Sequence, residues 1–379
     1  MRIVDLEVYA CRFPLPAPFS PSWTPGITSR DNGVAVFVVK TDEGIDGIAA
    51  SLNIGREWAG LAYLFKAYLL GRDPTAVEQL VEVLRNSTRV LGFRAGFLDV
   101  ALWDILGKKA GLPLYRLFGS SRSKVMAYAS FGELRSPEKW KDAIAAAKEA
   151  GFKAAKIRVR HETLREDVAA VEAARDAAGD EMRLMVDANQ GWRIEGFGPS
   201  VKWDLARAKQ AAKAFEDYHV FWLEEPLDQY DLAGYRALRD STTVAIAGGE
   251  MLSDLGLFKL GIDAGAYDYV QPDVTFCGGI TIARKVAALA EAASVGFAPH
   301  TWTNGIGLLA NLHVLAASPT GAMLEFPWDP PGWVPEARDA MLQQPLYVGP
   351  DGYVEIPEKP GLGAELDMEA IKAHGERLA

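Results

Sequence analysis

The sequence predicts an α/β protein built on a parallel (β/α) barrel, with an α+β domain ahead of it. Three observations carry this expectation. From about Val125, short apolar runs alternate with amphipathic helical stretches. Eight such runs occur at intervals of about 23 to 37 residues: VMAYAS, KAAKIR, RLMVDA, VFWLEE, VAIAGGE, YDYVQPD, VGFAPH and GAMLEF. Neither a GxGxxG fingerprint nor a Walker lysine stands in a strand-to-helix context, so a doubly wound sheet with a nucleotide cofactor is disfavoured. Finally, the second to eighth runs all deliver ionisable residues at their C-terminal ends, the ends that face the active site in a barrel.

The elements follow in order. IVDLEVYACRF and GVAVFVVKT read as strands, with a Pro- and Ser-rich loop, APFSPSWTPGITSR, between them. EWAGLAYLFKAYLLGR, AVEQLVEVLRN and RAGFLDVALWDILGKKAG then carry apolar residues at three- and four-residue spacing and predict helices. These form the α+β domain, residues 1–123; the barrel is assigned to 124–330 and a C-terminal segment to 331–379. Within the barrel, SPEKWKDAIAAAKEAG opens with Ser136 and Pro137 as N-cap and first helical residue, and GGITIARKVAALAEAAS supplies a later helix.

Composition narrows the functional classes. The 379 residues carry a formal charge of −10, which argues against nucleic acid or an anionic membrane surface as partner, while a cationic pocket or bound metal ion leaves an anionic small molecule open. Cys11 and Cys277 make no disulfide framework and read as reduced packing residues of a cytoplasmic protein. The N-terminus alternates apolar and polar residues and lacks a signal-peptide core. The longest apolar stretches are too short to span a bilayer.

The strand ends carry the chemistry. In AKIRVR, Lys156 and Arg158 share one face and Ala155, Ile157 and Val159 the other, a pattern that by itself fits a solvated edge strand. The charged ends of the following runs move both cations into the barrel mouth. There they join Asp187, Glu224, Glu250, Asp273, His300 and Glu325. Asp187, Glu224 and Glu250 end three successive runs; converging carboxylates repel unless a cation neutralises them, and hard oxygen donors suit Mg2+. The doublet Glu224-Glu225 leaves the choice of ligand open, with alternation from Trp222 favouring Glu224. Asp273 and His300 fit a dyad in which the carboxylate fixes the imidazole tautomer. His313, on the apolar face of GLLANLHVLAA, reads as structural, and His161, His219 and His374 as surface residues.

With these residues in place, "MVDANQGW", "WLEEPL", "AGGE", "VQPD", "APHTW" and "MLEF" together resemble the mandelate racemase subgroup of the enolase superfamily. The resemblance covers nearly the whole chain. It implies a modified (β/α)7β TIM barrel, an α+β capping domain formed by the N-terminal part, and a C-terminal tail that returns to the cap. It also implies abstraction of the proton α to a carboxylate, with Mg2+ on Asp187, Glu224 and Glu250, and a homo-oligomeric enzyme. In this setting Lys156 would face the substrate carboxylate, a protonated Glu325 would donate to it from the opposite side, and Asn189, Trp302 and Asn304 would touch substrate. Trp23, Arg30, Asn53 and Trp58 are the cap candidates.

Arg158 departs from the pattern. Racemases of this type carry Lys-x-Lys at the second strand, with the second lysine as a base opposite histidine. A guanidinium stays protonated, so Arg158 is a poor base and a good electrostatic partner. One base, His300, and a β-hydroxyl lead to elimination, so the expected activity is dehydration of a sugar acid, an aldonate or aldarate, to a 2-keto-3-deoxy acid. Epimerisation or lactone cycloisomerisation with Lys156 as second base is the alternative. A ligand-binding protein without catalysis and a glycoside hydrolase fit the residues less well.

Overall fold

A computed structural model of the chain describes residues 1–89, 95–192 and 201–379. The N-terminal part forms an antiparallel sheet from β1 (Ile3–Phe19), β2 (Ser29–Thr41) and β3 (Gly47–Leu52). The strand Gly375–Arg377, near the C-terminus, adds to the outer side of β1 through Tyr9, Ala10 and Cys11, so the tail does return to the cap. Helices α1 (Glu57–Leu69) and α3 (Asp99–Ala110) cover this sheet, α2 (Val77–Arg89) packs on both of them, and the short α4 (Leu114–Leu117) leads to the barrel.

Two expectations shift here. β1 continues through PLPAPF to Phe19, where a loop was expected from Ala17; pairing is interrupted between Pro14 and Phe19 and resumes at Phe19 with Ser29. The helix expected from Arg94 lies partly outside the described residues, and its described part is a 3-10 turn, Gly96–Leu98, before α3. The chain is pinned at that point: a Cβ on Gly96 would lie 2.3 Å from the Cα of Gly278 in the barrel, so the two backbones touch.

Eight parallel strands follow: β4 (Lys124–Ser130), β5 (Ala154–Arg158), β6 (Arg183–Asp187), β7 (Trp222–Glu224), β8 (Ala245–Gly248), β9 (Tyr269–Val270), β10 (Gly296–Phe297) and β11 (Leu324–Pro327). They pair in chain order, and β11 pairs β4. The ring closes between Phe297 of β10 and Gly321, just ahead of β11, through bonds from Phe297 N to Thr320 O and from Ala322 N to Phe297 O. Between successive strands run α5 (Pro137–Glu149), α6 (Leu164–Ala178), α7 (Leu205–Glu216), α8 (Leu232–Arg239), α9 (Leu255–Asp263), α10 (Ile280–Ala292) and α11 (Gly305–Ala316), and β11 has no such partner, giving the (β/α)7β order.

The strand period positions the site. Tyr128, Ala154, Met185, Trp222, Ala298 and Met323 form a buried apolar plug inside the barrel. Each lies two residues before a strand-end residue, respectively Ser130, Lys156, Asp187, Glu224, His300 and Glu325. Alternation therefore stacks one polar layer directly above one apolar layer. Ala155, Ile157 and Val159 face the other way, into the main core between strands and helices. On β8 the spacing changes, because Ala247 precedes Glu250 by three. Gly249, at φ +106, supplies the turn that re-aims the chain.

Candidate active site

The register sets the heights of the polar layer. Arg158 is opposite Asp187, and Asp187 opposite Glu224, in the parallel ladders of β5, β6 and β7. Ser130 is opposite Lys156. Lys156 is fully buried; its Nζ donates to Glu224, lies 2.7 Å from Glu325 Oε1 and 3.4 Å from Asp187 Oδ2. Arg158, 1% exposed, donates through Nε to Phe131 O at 2.6 Å and through NH1 to Asp187, and its guanidinium lies under the rings of Trp23 (5.1 Å) and Trp302 (5.7 Å). The AKIRVR cations are thus not on a solvated edge.

Oxygen atoms of Asp187, Glu224 and Glu250 all lie within 4.8 Å of one another. Trp192 Nε1 donates to Glu250 Oε1 at 2.9 Å, and Trp222 Nε1 and Gln271 Nε2 donate to Glu224 Oε2 at 3.1 and 2.7 Å. Of the doublet Glu224-Glu225, Glu224 is the member whose carboxylate joins this cluster. Glu225 adopts φ +44, and its buried carboxyl has no hydrogen-bond partner among the described residues; burial pushes it well up, with Glu250 and Asp187 adding to the effect.

His300 Nδ1 lies 2.9 Å from Asp273 Oδ2, which forms the expected dyad geometry. Asp273 is itself held by Thr275, whose N and Oγ1 donate to Oδ1 at 2.8 and 2.7 Å. This leaves His300 Nε2 facing Glu250 Oε2 at 3.3 Å, with the ring of Phe276 stacked alongside at 6.5 Å.

The acids and bases here perturb each other. Burial opposes the Lys156 ammonium, yet Glu224, Glu325 and Asp187 hold it above its ordinary value. Burial likewise opposes the imidazolium of His300, and Glu250, Glu325 and Asp273 outweigh it, bringing the group up to about 10. Glu224 and Glu250 are raised by burial, against the pull of Lys156 and His300 respectively. Glu325 goes the other way, to about 2, because Lys156, His300 and Arg158 overcome its burial. Its contacts agree: Ser130 Oγ and Thr301 N donate to it, both at 2.7 Å, and Lys156 pairs with it. These contacts favour the carboxylate form of Glu325 when no substrate is bound, whereas the protonated Glu325 expected from the sequence concerns the complex with a substrate carboxylate.

Five carboxylates (Asp187, Glu224, Glu250, Asp273 and Glu325) face three cationic groups (Lys156, Arg158 and His300). Three convergent hard oxygen donors, in a layer with more carboxylates than cationic groups among the described residues, fit one divalent cation.

A cavity of about 310 Å³ opens above this layer, lined by Trp23 and Leu52 from the cap and by Arg158, Asn189, Glu250, His300 and Trp302 among others from the barrel. Asn189 accepts from Ser22 Oγ at 2.6 Å, tying the cap loop to the mouth. Asn304 does not line the cavity. It is the N-cap of α11, its Oδ1 accepting from Gly307 N at 2.8 Å. Of the four cap candidates, Trp23 alone lines the cavity: Trp58 packs against Phe37 and Phe97 in the core, Asn53 bonds Cys11 O, and Arg30 is exposed. His161 is half-buried, not a surface residue, with Nδ1 2.9 Å from buried Asp167, which also binds Arg207. Sequence reasoning did not single out Ser130, Trp192, Leu52, Met251 or Phe276. Ser130 had a signal, the end of the first barrel strand, but carries no charge.

Comparison with known proteins agrees with this geometry. The family described as Mandelate racemase / muconate lactonizing enzyme, N-terminal domain matches residues 7–119, and that described as Enolase C-terminal domain-like matches residues 139–370. A D-galactarolactone cycloisomerase from Agrobacterium fabrum is 31% identical over 387 aligned positions, covering 98% of both chains. An L-talarate/galactarate dehydratase from Salmonella typhimurium is also 31% identical, over 97% of this chain and 90% of that protein. The crystal structure of L-talarate dehydratase from Polaromonas sp. JS666, complexed with Mg and L-glucarate, superposes with a TM-score of 0.82 at 29% identity, covering 99% of this chain and 97% of that one. Matched across both domains, the chain belongs to the mandelate racemase and muconate lactonizing enzyme family, within the enolase superfamily of enzymes.

Proposed function

We propose that the protein is a Mg2+-dependent dehydratase of a sugar acid, an aldonate or aldarate, with His300 as the single base. One observation carries the reading: at the position where a second base would stand, Arg158 is buried and bound to Phe131 O and Asp187. A permanently charged guanidinium does not take a proton. Asp187, Glu224 and Glu250 would hold the cation, which when bound supplies positive charge for the substrate carboxylate and for the enediolate developed from it.

The remaining work falls to the chain. The proton α to a carboxylate is too weakly acidic for an imidazole unless the second negative charge is stabilised as it forms. Lys156 and Arg158 carry fixed positive charge to that point. His300 Nε2 takes the proton from C2, while Asp273 holds the Nδ1–H and thereby the tautomer. The C3–O bond then breaks, the hydroxyl leaves with the proton from His300 as water, and the resulting enol tautomerises to the 2-keto-3-deoxy acid. Without the cation His300 is held protonated, chiefly by Glu250, and a cation on the triad would loosen that hold and free Nε2 to act as a base. Glu250 is the strongest upward influence on the imidazole, and it is also a carboxylate that a cation at the triad would engage.

The likeness to a cycloisomerase supports a second reading, epimerisation or lactone cycloisomerisation through the same enediolate. Epimerisation requires a second base, and Lys156 is held as an ammonium by three carboxylates. The test uses His300→Asn with Mg2+ and a panel of acid sugars in D2O. Loss of both α-deuterium exchange and 2-keto acid formation, by about 10³-fold or more, is expected. Retained exchange would move the base to Lys156, and exchange by the wild type without keto acid would replace elimination by isomerisation.

A further inference from the structure

The polar atoms of the 310 Å³ cavity are gathered at its floor. Arg158 is engaged by Asp187, His300 Nε2 lies 3.3 Å from Glu250, and Asn189 accepts from Ser22. Among the described residues, the walls above are Trp23, Leu52, Trp192, Met251, Phe276 and Trp302, relieved only by the hydroxyls of Thr24 and Thr303. Even the two barrel indoles offer ring faces in place of donors. Trp192 Nε1 is committed to Glu250 and Trp302 Nε1 to Ser130 Oγ at 2.8 Å. The guanidinium of Arg158 is roofed by Trp23 and Trp302. Among the described residues, Arg158 and His300 are the only cationic groups lining the cavity, and both stand on the floor.

This distribution separates two classes of sugar acid. The two carboxylates of an extended six-carbon aldarate are about 6 Å apart, from the advance of about 1.25 Å per C–C bond. With one at the triad, the other falls among aromatic and aliphatic walls, where a carboxylate without a cationic partner among the described residues weakens binding by about tenfold or more. A terminal methyl loses nothing in that place and gains apolar burial. We infer that the site is built for a monocarboxylate with an apolar far end, a 2,3-dihydroxy acid of the terminal-deoxy aldonate class. The inference adopts the acid-sugar part of the proposed function and is independent of whether the enediolate goes on to eliminate. It also sets this chain apart from relatives named for galactarate, a dicarboxylate.

Calorimetric titration of the His300→Asn protein, loaded with Mg2+, tests it without turnover. Stereochemically matched hexarates, hexonates and 6-deoxyhexonates are the probes. The tightest 6-deoxyhexonate should bind at least tenfold more tightly than its matching hexarate, with the hexonate between them. Equal or tighter binding of the hexarate overturns the inference, and so does absence of binding by every 6-deoxyhexonate. In Leu52→Arg, which brings a cation to the cap side of the cavity, hexarate affinity should rise about tenfold; an unchanged value counts against the apolar wall as the cause. Keto-acid assays on the wild type keep the two ideas apart. Keto acid formed from a preferred hexarate leaves dehydration standing and removes the substrate class. Exchange without keto acid on a preferred 6-deoxyhexonate does the reverse.

Discussion

The barrel mouth and the joint between cap, barrel and tail both bury ionisable groups, but they satisfy them differently. In the mouth, Lys156, Arg158, Asp187, Glu224, Glu250, His300 and Glu325 mainly face one another. At the joint, the partners are largely backbone. Asp104 accepts from Leu362 N at 2.8 Å and Ile48 N at 3.1 Å, besides Lys108. His313 Nδ1 accepts from Tyr115 N and its Nε2 donates to Leu362 O, both at 3.1 Å. Asp99 Oδ2 accepts from Thr281 N at 2.6 Å, so a side chain of the cap closes the N-terminus of α10 in the barrel. A backbone partner fixes a group to one structural task. Charged side chains facing each other can exchange protons and partners, and that freedom marks the mouth as the place for chemistry.

The strongest way to break this contrast is at Arg158. Arg158→Lys removes the bond to Phe131 O and exchanges a fixed cation for one that can titrate. Elimination should fall about ten- to a hundredfold, the cost of one or two charge-assisted hydrogen bonds. The recovered substrate should gain deuterium at C2 in both configurations, read by NMR after reaction in D2O. Exchange confined to one configuration would show that the residue at this position does not decide the number of bases.

How much of this was visible in the sequence follows the same division. The mouth was legible because charges inside short apolar runs are conspicuous, and the two-residue period put Lys156 and Arg158 on one face. The pairing of Asp273 with His300 was also legible from their places at successive strand ends. The cavity walls were not, since Leu52, Met251 and Phe276 in loops read as ordinary packing, and Trp58, which looked like a cap contact, belongs to the core. Asp99 was opaque for another reason. An acid in the first turn of a helix reads as serving that helix, whereas this one caps a helix that begins near residue 280. Partners brought together only by tertiary structure leave no local spacing to find.

His313 gives the next effect in size and sharpens the contrast from the structural side. Burial lowers its pKa from 6.5 to about 4, against the opposing hydrogen bond to Leu362 O. The unfolded chain therefore takes up the proton first as the pH falls. The stability that neutral His313 contributes is present above about pH 6.5 and lost as the pH drops through 4, a change of roughly 3 kcal/mol. Denaturant titrations from pH 7 to 4 should show His313→Gln less stable at pH 7 and with a shallower decline. Parallel profiles for variant and wild type would mean that the histidine is not held neutral by the fold.

Asp99 runs in the opposite direction, and over the narrower span from pH 5 to 7 the change it gives is smaller than that of His313 from pH 7 to 4. Burial, only partly offset by the bonds from Thr281, raises its carboxyl to about 7. Here the unfolded chain gives up the proton first. Stability is greatest below about pH 4 and declines as the pH rises through 7, by roughly 2 kcal/mol between pH 5 and 7. Asp99→Asn keeps an oxygen for Thr281 N and cannot ionise. Relative to wild type it should gain stability steadily from pH 5 to 7, measured by urea unfolding. It should leave the pH profile of the Mg2+-loaded enzyme unmoved, because Asp99 touches no group of the mouth. A shift in that profile would mean that the cap–barrel joint and the barrel mouth are electrostatically coupled, and the division between the two regions would fall.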